Sequence, residues 1–168
     1  MWAATIASQL GSFIQVVATS WMMVALHGSA TMVALVQTAA NLPIMLFAVA
    51  AGVLADIFSR RTMMLGAQVG MLILSAALAL LAAAGVMTPW LLLAFTFLIG
   101  CGTALHAPSW QASVGELVPR DQIPSAVAAN IVGNNVARSI GPAIGGWVVL
   151  AAGATFAFAV NALSYLGI

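Results

Sequence analysis

Charged side chains occupy a few short stretches of the chain and leave long apolar blocks between them. Residues 1–55 and 62–115 contain no charged side chain. A membrane-spanning helix needs about 20 apolar residues, so each block is long enough for two spans and a turn. The charged residues are Asp56, Arg60, Arg61, Glu116, Arg120, Asp121 and Arg138. This pattern predicts an all-α membrane protein in which short polar loops join long apolar helices.

Turn-forming residues divide the apolar blocks into six predicted spans. A His-Gly-Ser turn at 27–29 ends the first span, and Gly153 separates the fifth from the sixth. Thr88 is a suitable N-cap and Pro89 a suitable first helical residue for the fourth span, which we expect to end near Pro108. The predicted spans cover about residues 2–26, 32–54, 62–84, 90–107, 124–151 and 154–168.

The sixth predicted span is shorter than a bilayer requires. Residues 155–168 make about 21 Å of helix, whereas the hydrocarbon core is about 30 Å thick. We therefore expect the chain to be a fragment with a truncated sixth helix.

Arginine placement predicts the orientation in the membrane. Arg60 and Arg61 lie between spans two and three, and Arg120 lies between spans four and five. The loops predicted on the opposite side contain no Lys or Arg. Because positively charged loops stay in the cytoplasm, the two arginine-containing loops and the N-terminus are expected on the cytoplasmic side. The membrane is expected to be a bacterial inner (plasma) membrane.

Composition excludes several classes of protein. The chain is 64% hydrophobic and 4% charged, whereas soluble domains carry about 25% charged residues. The net charge of +1 says nothing about nucleic acid, but the sequence has no basic patch, and we expect no nucleic-acid partner. Motifs of hydrolases, metalloproteases and nucleotide-binding proteins are missing from the sequence, so we expect neither an enzyme nor a cofactor. His27 and His106 fall on opposite membrane faces in this topology, which predicts no metal site.

Polar side chains inside two predicted spans are candidates for a substrate cleft. Gln37 and Asn41 share one face of span two, and Asn130, Asn134 and Arg138 share one face of span five. Arg138 lies about 21 Å along its span, where an arginine costs about 2.5–3.5 kcal/mol. Either this face lines a wet cleft and binds an anionic group, or the arginine is structural and bonds helix carbonyls.

Small residues recur every four positions in the fifth span. Gly133, Ala137, Gly141 and Gly145 form one smooth stripe, and Pro142 removes a backbone donor beside it. One interpretation is tight packing against a neighbouring helix with a harmless kink. The other is a bendable, sealed helix contact that limits leak during transport.

The short loop between spans two and three also has two interpretations. It can be a solvated turn whose arginines only set topology. Its spacing, however, resembles the G-x-x-x-D-R-x-G-R-R loop of major facilitator transporters, with Ile57 and Ser59 in place of the usual Arg and second Gly. The residues that match this gating loop are Gly52, Asp56, Arg60 and Arg61.

A second, longer resemblance lies downstream. The stretch "HAPSWQASVGELVPRDQIPSAVAANIVGNNVARSIGPAIGG", residues 106–146, is similar to the major facilitator branch that contains the enterobactin exporter and macrolide efflux proteins. It includes a segment like the exporter motif G-x-x-x-G-P-x-x-G-G. The corresponding positions are Ala137, which replaces the first Gly, and Gly141, Pro142, Gly145 and Gly146.

The resemblance implies the N-terminal six-helix half of a twelve-helix secondary transporter, without its C-terminal half. It implies export of a small molecule (a drug or a siderophore) by alternating access, with protons as the coupling ion. Within the predicted spans there is no carboxylate, so the proton carrier would come from the missing half or from Asp56. The alternative is a non-transporting six-helix interaction protein or a degenerate transporter half.

Overall fold

The computed structural model describes residues 2–57, 59–117 and 119–167, and these residues are almost entirely helical. The helices are α1 (Trp2–Ala25), α2 (Ala30–Ile57), α3 (Arg60–Ala83), α4 (Pro89–Leu117) and α5 (Ile123–Ser164). Short 3-10 turns at Arg120–Gln122 and Tyr165–Gly167 precede and follow α5.

The helix ends follow the chemistry of their capping residues. Thr88 accepts a hydrogen bond from the backbone N–H of Leu91 at 3.3 Å, and α4 begins at Pro89 as expected. Ser59 caps α3 by accepting from the N–H of Thr62. Ser59, which stands where the resembling loop usually has its second Gly, is therefore a suitable N-cap for α3.

The fourth helix extends beyond its predicted span. The span was predicted to end near Pro108 and the apolar segment of α4 ends at Trp110, while the helix itself continues through Pro108 to Leu117. A proline removes one backbone hydrogen bond, and the remaining bonds can carry a helix past it when neighbouring helices support the chain. Pro43 likewise lies inside α2 and does not end it.

α5 contains a sharp interruption at Gly153. Its φ of 83° and ψ of 164° are not helical, and a positive φ is accessible to glycine at little cost. A Cβ on Gly145 would lie 3.1 Å from Ile14, and Asn161 hydrogen-bonds to Gln15 in the same turn of α1. In an unbroken helix, residues 145 and 161 would lie about 24 Å apart. The chain therefore turns back at Gly153.

α1 packs against α2, α4 and α5. It packs most extensively against α5, while α4 packs against both α2 and α3. Gly100 of α4 lets the backbones of α4 and α2 approach, since a Cβ there would lie 2.8 Å from the carbonyl of Ala40 and 2.9 Å from Pro43. The core is apolar and includes Met23, Leu78, Leu92 and Phe158, all fully buried.

The outer surface is also apolar. Met45, Leu80, Trp147 and Leu150 are each at least 70% exposed. Within the described residues, four helical segments are long and apolar enough to cross a membrane: Ala30–Phe47, Arg61–Ala83, Pro89–Trp110 and Pro124–Ser164. The protein is an integral membrane protein, because so apolar a surface requires lipid as its solvent. α1 is not among these segments, since glutamine, serine and threonine side chains interrupt it.

Candidate functional site

A large cleft lies between α1, α2, α4 and α5. Its volume is about 840 Å³, within the range of sites that hold drug-sized molecules. We call it the central cleft. Four of the five predicted cleft residues line it: Gln37, Asn41, Asn134 and Arg138.

Arg138 lies on the wall of the central cleft and is exposed. It forms no hydrogen bond or ion pair with any residue that the structure describes. An arginine that reaches an open cleft can stay hydrated, so the insertion cost expected for a lipid-buried position is reduced. Its planar guanidinium presents five N–H donors to whatever occupies the cleft.

The α2 side of the central cleft presents two amides one turn apart. The Asn41 side chain donates to the backbone carbonyl of Gln37 at 2.8 Å, and both residues are exposed. This bond holds the Asn41 amide along the helix and leaves the Gln37 side chain available to the cleft. Their assignment to a substrate stays a prediction.

Two rows of α5 have different surroundings. Residues 134, 138 and 142 line the central cleft, whereas residues 133, 137, 141 and 145 face α1. A Cβ on Gly141 would lie 2.6 Å from the Cβ of Phe13, and Ala137 is completely buried. The predicted small-residue stripe is thus a close contact between α1 and α5, beside the polar row.

Gly146, the last residue of the exporter motif, differs from its neighbours. No described atom lies within 4 Å of the position that its Cβ would take, and the residue is exposed. Close helix packing therefore explains Gly141 and Gly145 and leaves Gly146 without a structural account.

A second cavity of about 310 Å³ lies beside the central cleft, between α1, α3, α4 and α5. We call it the polar chamber. Asn130, the fifth predicted cleft residue, lines this chamber instead of the cleft. The two cavities share Ser12, Thr103, Asn134 and Tyr165, so they adjoin.

Three residues that line the polar chamber each carry one buried polar atom without a hydrogen-bond partner among the described residues. These atoms are Gln9 Oε1, His106 Nε2 and Trp110 Nε1. The rings of His106 and Trp110 are stacked, with centroids 6.4 Å apart and planes 11° from parallel. Sequence reasoning did not select this pair, because the predicted end of the fourth span at Pro108 separated two residues that share a helix face.

A buried polar network joins α1, α3 and the end of α5. Ser75 donates to Gln15 Oε1 at 2.9 Å, and Asn161 donates to Gln15, to Ser75 at 3.1 Å and to the Tyr165 hydroxyl at 3.3 Å. Gln68 donates to the backbone carbonyl of Tyr165 at 3.0 Å. These bonds hold the chain in its reversed direction after Gly153.

The predicted gating loop is described only in part. A Cβ on Gly52 would have no described atom within 4 Å, and Arg61 is exposed. The side chains of Asp56 and Arg60 lie outside the described residues. The gating role of all four stays a prediction.

Metal ligands do not cluster in the part of the chain that the structure describes. No group of three or more His, Cys, Asp or Glu side chains there could hold a metal ion. Both cavities are instead lined by amides, hydroxyls, aromatic rings and one guanidinium. Such groups bind and orient a molecule through hydrogen bonds and charge.

Comparison with known proteins agrees with a transport role. The chain is 28% identical to an uncharacterized MFS-type transporter, YfiS, of Bacillus subtilis, over 92% of this chain and 36% of that protein. It is 26% identical to macrolide efflux protein A of Streptococcus pyogenes, over 86% of this chain and 36% of that protein. The chain thus spans little more than a third of these relatives. No solved structure matches it significantly.

A family described as transmembrane secretion effectors matches the chain over residues 1–168. That match extends from the first to the last helix and includes both cavities. The chain belongs to this family of major facilitator transporters.

Proposed function

We propose that the chain is the N-terminal six-helix half of a proton-coupled exporter of small molecules. The observation that carries the proposal is the central cleft, in which the Arg138 guanidinium and the amides of Asn134, Gln37 and Asn41 line one cavity of about 840 Å³. A cavity of this size with a few polar groups suits a drug-sized substrate.

Six spans are favoured over five by the reversal at Gly153. With a turn at this residue, the segments 123–152 and 154–164 run in opposite directions beside α1. Six spans make one repeat of a fold in which substrate binds between two halves and rocking alternates access. The fraction of the relatives that this chain covers supports a second half of this kind.

The second half would complete the substrate site. The central cleft is open, and Arg138 lies on its exposed wall. In the proposed transporter, Arg138 binds either an anionic group of the substrate or a carboxylate of the C-terminal half. The structural alternative, in which Arg138 bonds helix carbonyls beside Pro142, has no support among the described hydrogen bonds.

The substrate class is a drug or a siderophore, and the membrane is the bacterial inner membrane with the N-terminus in the cytoplasm. The macrolide efflux relative supports the first class. A siderophore offers the anionic groups that a free guanidinium would bind.

The test is an accumulation assay in bacteria that lack their own efflux pumps. Cells expressing the full reading frame that contains this chain are given radiolabelled erythromycin or an iron-free catecholate siderophore. We expect lower accumulation of one compound than in cells with empty vector, and an uncoupler should abolish the difference. If both compounds accumulate to the same level in expressing cells as in cells with empty vector, the result favours the non-transporting alternative. A difference that survives the uncoupler would contradict proton coupling.

A further inference from the structure

The polar chamber adjoins the proposed substrate site, and that proposal gives its other lining residues no role. It lies between the first half of α1, the first half of α3, the second half of α4 and the start of α5. These helix ends adjoin the arginine-containing loops between α2 and α3 and between α4 and α5. The chamber is therefore placed between one membrane face and the central cleft.

His106 is the titratable base among the described residues that line the chamber. Its imidazole is neutral with one ring nitrogen protonated and carries a positive charge with both protonated. Nε2 is buried and has no hydrogen-bond partner among the described residues. With Nδ1 protonated, Nε2 carries a lone pair that can accept a proton.

The surroundings of His106 suit a proton that binds and leaves. Gln9 Oε1, an acceptor that also lacks a partner among the described residues, lines the same chamber. Trp110 Nε1, a donor, also lacks a partner there, so a neutral Nε2 and Gln9 Oε1 make two acceptors for one donor. Protonation of Nε2 turns it into a donor, so this set of unpaired atoms then holds two donors and one acceptor.

The other described groups that line the chamber carry no charge that would fix the protonation state of His106. α1 contributes Ser8, Gln9 and Ser12, α3 contributes Gln68, and α5 contributes Asn130 and Asn134, all uncharged. Among the described residues that line the chamber, the other titratable group is the Tyr165 hydroxyl, and a tyrosine ordinarily stays protonated below pH about 10. Among the described residues, no carboxylate lines the chamber to hold a permanent ion pair with the imidazolium.

We propose that His106 is a proton-binding residue of the transport cycle, an inference that rests on the proposed exporter function. A proton from bulk water on one side of the membrane forms an N–H bond at Nε2. It returns to water when the chamber opens to the other side, and no other bond is made or broken.

Coupling to substrate follows from the shared wall of the two cavities. Asn134 and Tyr165 line both, and Arg138 lies one helical turn from Asn134. An imidazolium at His106 adds a second positive charge next to the cleft, beside that of Arg138. The charge changes the affinity of the cleft for a charged substrate, which is the requirement for coupling the two.

The first experiment uses the full-length transporter in proteoliposomes with radiolabelled erythromycin. For one proton exchanged per substrate, a gradient of about one pH unit sustains about tenfold accumulation. His106→Gln should abolish this accumulation and keep counterflow exchange at equal pH, which shows that the variant is folded. The matched control is His27→Asn, in an exposed turn where φ is 56°, a conformation that Asn adopts readily. It should keep both activities.

The second experiment needs no substrate. Transporter labelled with ¹⁵N-histidine is titrated from pH about 5 to 8, and the His106 signal is assigned by its loss in His106→Gln. We expect a transition between neutral and protonated imidazole in this range.

The outcomes separate the two proposals. Gradient-driven accumulation by His106→Gln at the level of the parent overturns the role of His106 and leaves the exporter function intact. A His106 signal that stays in one form over the whole range also overturns it. Loss of all erythromycin transport in the parent contradicts macrolide export, and the titration then decides about His106 alone.

Discussion

At the scale of single residues, Arg138 shows how one charge inside an apolar helix is accommodated. Its position was predictable from spacing, as was the polar row that it shares with Asn134. Whether this row met lipid, protein or an open cleft depended on where α1 and α2 pack. The structure places it on the central cleft, with the small-residue stripe turned toward α1.

Substitution of Arg138 tests its role in the cleft. Hydrogen bonds to charged groups contribute about 1.5–3 kcal/mol, so Arg138→Gln should reduce export by about tenfold or more. Arg138→Lys keeps the charge and loses the planar fork, and it should retain more export than Gln. The measurement is export rate at equal membrane abundance. Export by the Gln variant at the parent rate would show that the charge has no part in transport.

The buried amide of Asn161 predicts a stability effect. It is fully buried and bonds to Gln15, Ser75 and Tyr165. Asn161→Leu removes the bonds that the Asn161 amide donates and leaves only the bond from Ser75 to Gln15, at a cost of about 1–3 kcal/mol. The thermal unfolding temperature in detergent should fall.

Asn135 provides the matched control, because it is exposed on the same helix. Asn135→Leu should leave the unfolding temperature unchanged. Equal temperatures for Asn161→Leu and the parent would mean that the network contributes nothing to the fold.

At the scale of helices, the contact between α1 and α5 depends on missing side chains. The Cβ of a residue placed at 141 would overlap Phe13, and one at 145 would press on the backbone of Ile14. Neither neighbour can move away by rotating a flexible tip. Helix approach here is therefore set by backbone and Cβ positions.

Leucine substitutions along α5 test this contact. Gly141→Leu and Gly145→Leu should each destabilise the helix pair by about 1–3 kcal/mol, the usual cost of overpacking, and should abolish export. Gly146→Leu adds the same side chain one position further on, in open space. It should insert and fold like the parent.

The measurements are export assays and detergent unfolding curves on Gly141→Leu, Gly145→Leu and Gly146→Leu. Equal behaviour of Gly145→Leu and Gly146→Leu would show that the stripe does not pack closely in the membrane. Alanine is also informative, because Gly141→Ala already brings a Cβ within 2.6 Å of Phe13 and should be harmful, whereas Gly146→Ala should not.

Helix boundaries were predictable where a cap or a positive φ marks them. Thr88 and Gly153 are examples, since a hydroxyl that caps a helix and a glycine that reverses the chain act locally. Pro108 does not end α4, because a proline within a helix is tolerated when neighbouring helices support it. The stacking of His106 on Trp110 was not predicted from the sequence.

At the scale of the whole molecule, orientation in the membrane stays a prediction that chemical labelling can test. Ser59 and Ser29 are exposed residues in the loops before α3 and before α2. These loops fall on opposite sides of the membrane in the predicted topology. A single cysteine at either position, in a background without Cys101 or other thiols, reports its side.

The expected result is labelling of Ser59→Cys by an impermeant thiol reagent only in inverted membrane vesicles. Ser29→Cys should be labelled only in intact spheroplasts. The reverse pattern would overturn the orientation derived from the arginines. Labelling of both cysteines from one side would contradict the number of crossings between them.

Membrane residence, helical class, the caps of individual helices and the four-residue spacing of the two rows of α5 followed from the order of residues along the chain. Each depends on local chemistry: apolar length against bilayer thickness, capping groups, and a four-residue repeat that puts side chains on one face. These features can be read from neighbouring residues in the sequence, without knowing which other helix each one contacts. Family membership bears out the first two, the membrane residence and the helical class.

Contacts between distant helices settled the rest. They determined which face of α5 meets α1, which residues share the central cleft, and that Gln15, Ser75 and Asn161 meet although they lie far apart in the chain. They also created the polar chamber, which Gln9 and His106 both line, each with one buried atom that has no hydrogen-bond partner among the described residues. No periodicity encodes such meetings, because they depend on how several helices share the same space.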